Sequence, residues 1–403
     1  MKVAPKIAMA LAGGGPLGAI YEIGVLCALE ESLTGIDLNR LHHYVGVSAG
    51  GFIAAALANG MTPRALCDAF IENTADEGEV FDPAWMMQPA YAEYARRGAL
   101  LPLKLMTAMW QVTWGQKSWL RAAESLAPTL PTGLFSNEAI HTHLSRLFKR
   151  TGRTNDFRKL RTRLTLVATH LDTAQAALFG SPGWDHIPIS KAVQASAALP
   201  GLFPPVEIEG QHYVDGALKK TMHASVALDA GVDLLICLNP LVPFDGSATG
   251  LGKIGRIADG GLPAVLSQSM RSMIHSRMEL GMKHYESAYP DTDIVLLEPD
   301  HHDPELYLAN TFSYAQRRHL AEHAYQQTRS MLRTDAAGIA KKLARHGVRM
   351  NHVVLSDAGR RLVRPARAHS PVSRSLENLH LSLNHLANLL DATAPVRKRR
   401  ELR

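Results

Sequence analysis

The first 60 residues contain the feature that most constrains the fold. An apolar run passes through a glycine-rich turn into a second apolar segment, and the pattern occurs twice. The first copy begins at Ile7–Leu11 and the second at 44–47. Consecutive strand, turn and helix units are typical of parallel sheets, because parallel strands need long crossover connections. We therefore predict an α/β fold with a mainly parallel central sheet flanked by helices.

Further apolar runs extend this core along the chain. They predict strands at 164–169, 211–214, 234–238 and 294–297, with a helix over 262–285. We expect a catalytic domain over residues 1–330 and a C-terminal extension over 331–403.

Residues 83–130 differ in composition from the rest of the predicted core. They hold four of the five tryptophans, together with several methionines. Leu103, Met106, Trp110 and Trp114 follow one another at helical spacing, which predicts a helical insertion over the sheet. Their pattern favours a buried face over the alternative, an interfacial lid that touches lipid.

The C-terminal extension is strongly basic. Residues 331–403 contain 15 Lys or Arg and 5 Asp or Glu, so they carry more than the whole chain's net charge of +6. Leucines at 379, 383, 386 and 390 predict a short amphipathic helix. Such an extension suits an anionic membrane surface or nucleic acid, and equally a solvated helical appendage.

Composition indicates a globular protein of a reducing compartment. Apolar residues make up 46% of the chain and charged residues 20%, which is ordinary for a folded domain. Cys27, Cys67 and Cys237 each lie in an apolar stretch, and their spacing predicts neither a disulfide framework nor a metal site. The first apolar run lacks a signal-peptide cleavage pattern. We therefore expect a cytoplasmic protein that associates at most peripherally with membranes.

The second glycine-rich turn contains a candidate nucleophile. Gly46, Ser48 and Gly50 form a G-x-S-x-G sequence between a predicted strand and a predicted helix, the context that a nucleophile elbow requires. Small neighbours allow the strained turn that exposes the hydroxyl, and the helix dipole favours developing negative charge. The alternative is a serine that merely caps the helix.

The first glycine-rich turn has two interpretations. Gly13, Gly15 and Gly18 fit the dinucleotide fingerprint G-x-G-x-x-G, which would make the chain a nucleotide-binding module without catalytic activity. That fingerprint needs an acidic residue at the end of the second strand, whereas Asp37 precedes that strand. We favour the other interpretation, in which backbone N–H groups at Gly13, Gly14 and Gly15 form an oxyanion hole.

A nucleophilic serine needs a base. One alternative is an esterase for small esters with a Ser-His-Asp triad. None of the 19 histidines stands out as its base: His275 and His284 lie in helical sequence, and His301 and His302 lie in a polar turn. Asp215 follows a predicted strand and precedes Gly216, so its carboxylate stands at a strand end beside a turn.

These blocks together resemble the patatin-like phospholipase family. Four blocks follow one another in the family's order between residues 7 and about 240. They are the first glycine turn, the G-x-S-x-G sequence, the stretch 195–200 with Phe203 and two prolines, and Asp215-Gly216-Ala217. The chain departs from the family at Leu17, where a basic residue is usual.

The resemblance implies a three-layer patatin-like fold and a lipid acyl hydrolase. Ser48 would be the nucleophile, Asp215 its base without a histidine, and Gly13, Gly14 and Gly15 the oxyanion hole. The expected substrate is a phospholipid or related glycerolipid, with contact to an anionic membrane surface and no nucleic acid partner. This chemistry requires no metal and no cofactor. Because an ordinary aspartate is a weak base, we predict that burial raises the pKa of Asp215.

Overall fold

The computed structural model describes residues 4–76, 79–81, 88–114, 124–247, 256–303, 305, 316–335 and 338–363. Residues 1–362 form one compact unit and residues 363–403 a second. The predicted amphipathic helix around residues 379–390 and the tryptophans at 85 and 119 lie outside the described residues.

Strands and helices alternate through most of the chain. The strands are β1 (Ile7–Leu11), β2 (Leu33–Thr34), β3 (His43–Val47), β4 (Arg163–His170), β5 (Ala176–Phe179), β6 (Val206–Ile208), β7 (Gln211–Asp215), β8 (Leu234–Leu238), β9 (Asp293–Leu297) and β10 (Arg349–Met350). The α-helices are α1 (Gly15–Ser32), α2 (Ser48–Ala58), α3 (Pro63–Cys67), α4 (Tyr91–Gly98), α5 (Leu101–Thr113), α6 (Glu138–Leu147), α7 (Ile189–Ser196), α8 (Ser225–Leu228), α9 (Gly261–Ala288), α10 (Arg317–Arg333), α11 (Ile339–Arg345) and α12 (His352–Ser356).

The described strands form a central eight-stranded sheet and a separate pair, β2 with β10. The sheet order is β6-β7-β4-β3-β1-β8-β9, and β5 pairs with β4. Strands β4, β3, β1, β8 and β9 run parallel, whereas β5 and β7 are antiparallel to β4. The predicted strands are all present.

Helices cover the sheet. On one face, alternate residues such as Ala8, Ala10 and Val45 pack in a buried cluster with residues of α8 and α9, among them Met278 and Tyr285. Helix α2 packs against β1, β3 and β4 without joining that cluster, and α1 packs on α2 and α10. The predicted α/β fold with a mainly parallel sheet flanked by helices is confirmed.

The topology brings the two glycine-rich turns together. Strands β1 and β3 are parallel neighbours, so the turns that follow their carboxyl ends lie at the same edge of the sheet. Val47 at the end of β3 pairs with Val167 of β4, and the next residue, Ala168, pairs with Asp215 of β7. The register therefore places Asp215 two strands away from the second turn and at the same level.

The predicted insertion contains a helix, but the prediction of a buried face is wrong. Leu103, Met106, Trp110 and Trp114 are all exposed, with Trp110 exposed by 61% and Trp114 by 67%. Ala108, on the other side of α5, is buried instead. Helical spacing shows that a helix has an apolar face, but it does not show whether the protein covers that face.

The compact unit continues past the predicted domain boundary at residue 330. Helix α10 crosses that position and packs against α1, where a Cβ at Gly24 would lie 2.5 Å from the carbonyl oxygen of Ala321. The buried Arg329 guanidinium donates 2.7 Å hydrogen bonds to the carbonyls of Val354 and Asp357. The division into a catalytic domain and a basic extension stays a prediction.

Candidate active site

Ser48 stands in a strained turn between β3 and α2. Its φ of +54° lies in the left-handed region, which is costly for a residue with a side chain. The neighbouring glycines permit the close packing around it. A Cβ at Gly46 would lie 2.6 Å from the Gly51 Cα, and a Cβ at Gly50 would lie 2.4 Å from the Ala12 carbonyl oxygen. A strained turn with small neighbours is the geometry that a nucleophile elbow requires.

A buried serine holds the backbone of this turn. The Ser48 N–H donates to the Ser196 hydroxyl at 2.8 Å, and that hydroxyl donates to the Val167 carbonyl at 2.6 Å. Ser196 therefore links the turn to β4. Sequence reasoning gave this serine no role of its own, although it lies in the 195–200 stretch that contributes to the family resemblance.

Asp215 lies at the end of β7, buried to 2% exposure. Its Oδ1 accepts a 2.8 Å hydrogen bond from the Ala217 N–H, and its carboxylate hydrogen-bonds the Ser48 side chain. Its own N–H donates to the Ala198 carbonyl at 3.0 Å. Burial raises the pKa of Asp215 to about 6, although the bonds from Ser48 and Ala217 oppose the shift. The predicted direction of the pKa shift is confirmed.

The first glycine turn lies directly against the serine. A Cβ at Gly13 would lie 3.0 Å from the Ser48 Cβ and 3.5 Å from its Oγ, so a side chain there would crowd the hydroxyl. Gly14 packs against Gly18 and Pro240, and Gly15 takes a φ of +60° as the first residue of α1.

These two turns can stabilise an anion. Within the described residues, the N–H groups of Gly13, Gly14 and Gly15 have no hydrogen-bond acceptor. Helices α1 and α2 both begin here, and the N-terminus of a helix carries partial positive charge. Unpaired N–H groups beside a nucleophile and two helix N-termini are what an oxyanion needs.

The described histidines make contacts with groups other than Ser48. His223 directs its Nε2 to the Gly216 carbonyl at 3.3 Å, and burial lowers its pKa to about 4. The His275 ring packs against the His301 ring. In the part of the chain that the structure describes, no histidine hydrogen-bonds to Ser48. A Ser-His-Asp triad thus gains no support from the geometry.

The dinucleotide interpretation also gains no support. Asp37 precedes β3 and therefore lies toward the amino end of that strand, away from the edge that carries the glycine turns. Its carboxylate accepts from the Asn39 N–H and pairs with Arg40. Leu17, where the family usually has a basic residue, is buried in α1.

Comparisons with known proteins show which family this chain resembles. The chain is 18% identical to VipD from Legionella pneumophila, over 82% of this chain and 67% of that one, with a TM-score of 0.39. It is 17% identical to the type III effector protein ExoU, over 82% of this chain and 53% of that one, with a TM-score of 0.32. The family model described as patatin-like phospholipase matches residues 9–228, more than half of the chain. The chain therefore belongs to the patatin-like phospholipase family.

Proposed function

We propose that this protein hydrolyses carboxylic ester bonds of phospholipids or related glycerolipids through an acyl-enzyme on Ser48. Membership of the family supports a lipid ester hydrolase. The observation that carries the finer proposal is the Ser48 side chain, held in a strained turn, hydrogen-bonded to the buried Asp215 carboxylate and in contact with Gly13.

In the acylation step, the Ser48 Oγ attacks the ester carbonyl carbon and Asp215 takes the hydroxyl proton. The carbonyl oxygen becomes an oxyanion beside the N–H groups of Gly13, Gly14 and Gly15. Each such donor contributes about 2.7 to 4 kcal/mol of transition-state stabilisation in serine hydrolases. When the tetrahedral intermediate collapses, the protonated Asp215 returns the proton to the leaving alcohol.

In the deacylation step, Asp215 removes a proton from water while the water oxygen attacks the acyl-enzyme carbonyl. The second tetrahedral intermediate occupies the same oxyanion hole. Its collapse releases the fatty acid, and Ser48 recovers its proton from Asp215. One carboxylate thus acts as base and acid in both steps, and a pKa near 6 suits both roles at neutral pH.

The test is fatty-acid release from a panel of phospholipids, lysophospholipids, triacylglycerol and short nitrophenyl esters. The proteins are wild type, Ser48→Ala, Asp215→Asn and the control Ser356→Ala, which changes an exposed serine of α12. We expect wild type and the control to hydrolyse glycerolipids. Ser48→Ala and Asp215→Asn should lose at least about a thousandfold in rate.

Three results would contradict the proposal. Near-normal turnover by Asp215→Asn would exclude the Ser-Asp pair. Turnover of the short esters alone would favour a small-ester esterase. Absence of turnover, together with no labelling of Ser48 by a fluorophosphonate, would show that the serine is not a nucleophile.

A further inference from the structure

The insertion presents an apolar face to the outside. Among the side chains that the structure describes between Leu101 and Trp114, seven large apolar ones are exposed: Leu101, Leu103, Leu105, Met106, Met109, Trp110 and Trp114. At about 100° of rotation per residue they fall within an arc of roughly 220°. We call this arc the α5 outer face.

The opposite side of the helix is polar and faces the protein. Ala108 is buried there, and Lys104 and Gln111 are half-buried on either side of it. Gln111 Oε1 is buried without a partner among the described residues. The helix is thus oriented in reverse of an ordinary surface helix, whose apolar side faces the core. An arrangement of this kind favours an apolar neighbour outside the molecule.

We propose that the α5 outer face docks on the surface of a phospholipid bilayer and carries the active site to its substrate. This inference rests on the proposed lipid hydrolysis. The Trp110 and Trp114 rings pack against each other at a tilt of 32°, with centroids 5.2 Å apart. Exposed tryptophans favour the boundary between lipid head groups and acyl chains. At about 1.5 Å per residue, the 13 residues of α5 span about 20 Å. That is too short to cross a bilayer core of about 30 Å, so the helix lies in the plane of the interface.

Charge favours an anionic membrane. Residues 94–114 contain three basic side chains, Arg96, Arg97 and Lys104, and no acidic ones. Both arginines pair with the buried Glu93 carboxylate, so one positive charge of that group remains uncompensated, and the Arg96 side chain is 72% exposed. The attraction to anionic lipid therefore adds to a docking that apolar contact dominates.

The segment that follows the insertion, residues 133–135, pairs with Pro89 of the insertion and also contacts the segment that positions Asp215. Gly133 forms a parallel bridge with Gly201, and the Phe135 N–H donates to the Leu202 carbonyl at 2.9 Å. Ala198 lies three residues before Gly201, and its carbonyl accepts a hydrogen bond from the Asp215 N–H. A docked insertion would thus be held to the same loop as the proposed base.

The test measures vesicle partitioning in a Ser48→Ala background, so that lipid hydrolysis cannot alter the vesicles. The Trp110→Ser/Trp114→Ser variant is compared with the control Leu280→Ser/Val353→Ser, which removes two exposed apolar residues of α9 and α12. Vesicles are phosphatidylcholine with and without phosphatidylglycerol. We expect the tryptophan variant to partition at least about tenfold more weakly and the control to partition normally.

Equal partitioning of the two variants would overturn the proposal. So would a protein that ignores vesicles but forms a dimer that the tryptophan variant abolishes, because a second copy would then cover the face. When the same substitutions are made in the protein that retains Ser48, turnover of a short soluble ester should stay unchanged. If the protein that retains Ser48 hydrolyses no ester, the proposed function fails. The vesicle experiment still shows whether the α5 outer face binds membranes.

Discussion

At the residue scale, burial determines how strong a base Asp215 is. Its carboxylate accepts hydrogen bonds from the Ser48 side chain and the Ala217 N–H, both of which favour the charged form. Desolvation outweighs them, and the pKa rises to about 6 instead of remaining near 4. The direction of this shift could be predicted from the sequence because the proposed Ser-Asp pair needs a stronger base than an ordinary aspartate. The exact balance depends on side-chain contacts that no motif specifies.

This balance predicts the pH dependence of the reaction. Asp215 must be deprotonated to accept the Ser48 proton, so kcat/KM for a soluble ester should rise about tenfold per pH unit below about pH 6 and level off above it. The measurement is a pH–rate profile corrected for spontaneous hydrolysis, with circular dichroism at each pH to show that the fold persists. A rate that is already constant from about pH 4.5 upward would contradict the raised pKa of Asp215.

Ser196 is a positioning residue for the nucleophile. Ser196→Ala would remove the side-chain acceptor of the buried Ser48 N–H and the hydrogen bond to the Val167 carbonyl, at a cost of about 1 to 3 kcal/mol. We expect kcat for a soluble ester to fall about tenfold with little change in KM, and Ser196→Thr to restore part of it. The matched control is Ser190→Ala, a buried serine that contacts Asn155 and His141 instead. Equal kcat values for the two alanine variants would contradict this role.

At the scale of elements, the two strand, turn and helix units could be predicted because local chemistry specifies them. Glycines stand where the backbone turns tightly, and apolar periodicity marks the flanking strand and helix. The environment of α5 could not be predicted, since it depends on what surrounds the helix. The two-residue strands β2 and β10 escaped prediction for a similar reason, because each is defined only by a partner some 300 residues away.

The junction between the two units depends on Gly50. Its N–H donates to the Ala12 carbonyl at 3.1 Å, and a Cβ would lie 2.4 Å from that oxygen. We expect Gly50→Ala to lower the free energy of unfolding by at least about 1 to 3 kcal/mol. The control is Gly98→Ala at the end of α4, where a Cβ meets no atom within 4 Å and where alanine favours the helix. Urea unfolding measures the stability of the two variants. Equal unfolding midpoints for Gly50→Ala and Gly98→Ala would exclude the predicted steric conflict at position 50.

At the scale of the whole molecule, helices that follow the residues matched by the family model belong to the same compact unit. The match ends at residue 228, whereas the compact unit ends at Leu362. Helix α10 is polar overall, so the sequence did not predict that it belongs to the core. Its few buried apolar residues include Leu320, Ala324 and Leu332. Helices α1 and α12 both pack on α10, so the core extends this far.

Truncation tests the extent of this unit. A chain of residues 1–330 lacks the Val354 and Asp357 carbonyls, which accept hydrogen bonds from the Arg329 guanidinium, and uncovers part of the α1 surface. We expect it to unfold at lower urea concentration than the full chain or to aggregate, because it loses these hydrogen bonds and the apolar contacts of the missing helices. A chain of residues 1–363 should match the full chain. Full stability of the shorter chain would support the sequence-predicted boundary at residue 330.

The strained turn at Ser48 has an evolutionary consequence. A positive φ destabilises serine relative to glycine at position 48, and a buried aspartate with a raised pKa destabilises the folded protein at neutral pH. Substitution at either position should therefore relieve strain while removing the proposed chemistry. Natural selection for hydrolysis must continually act against such changes. In lineages that no longer need the reaction, glycine at 48 and a neutral residue at 215 should be among the first substitutions to accumulate.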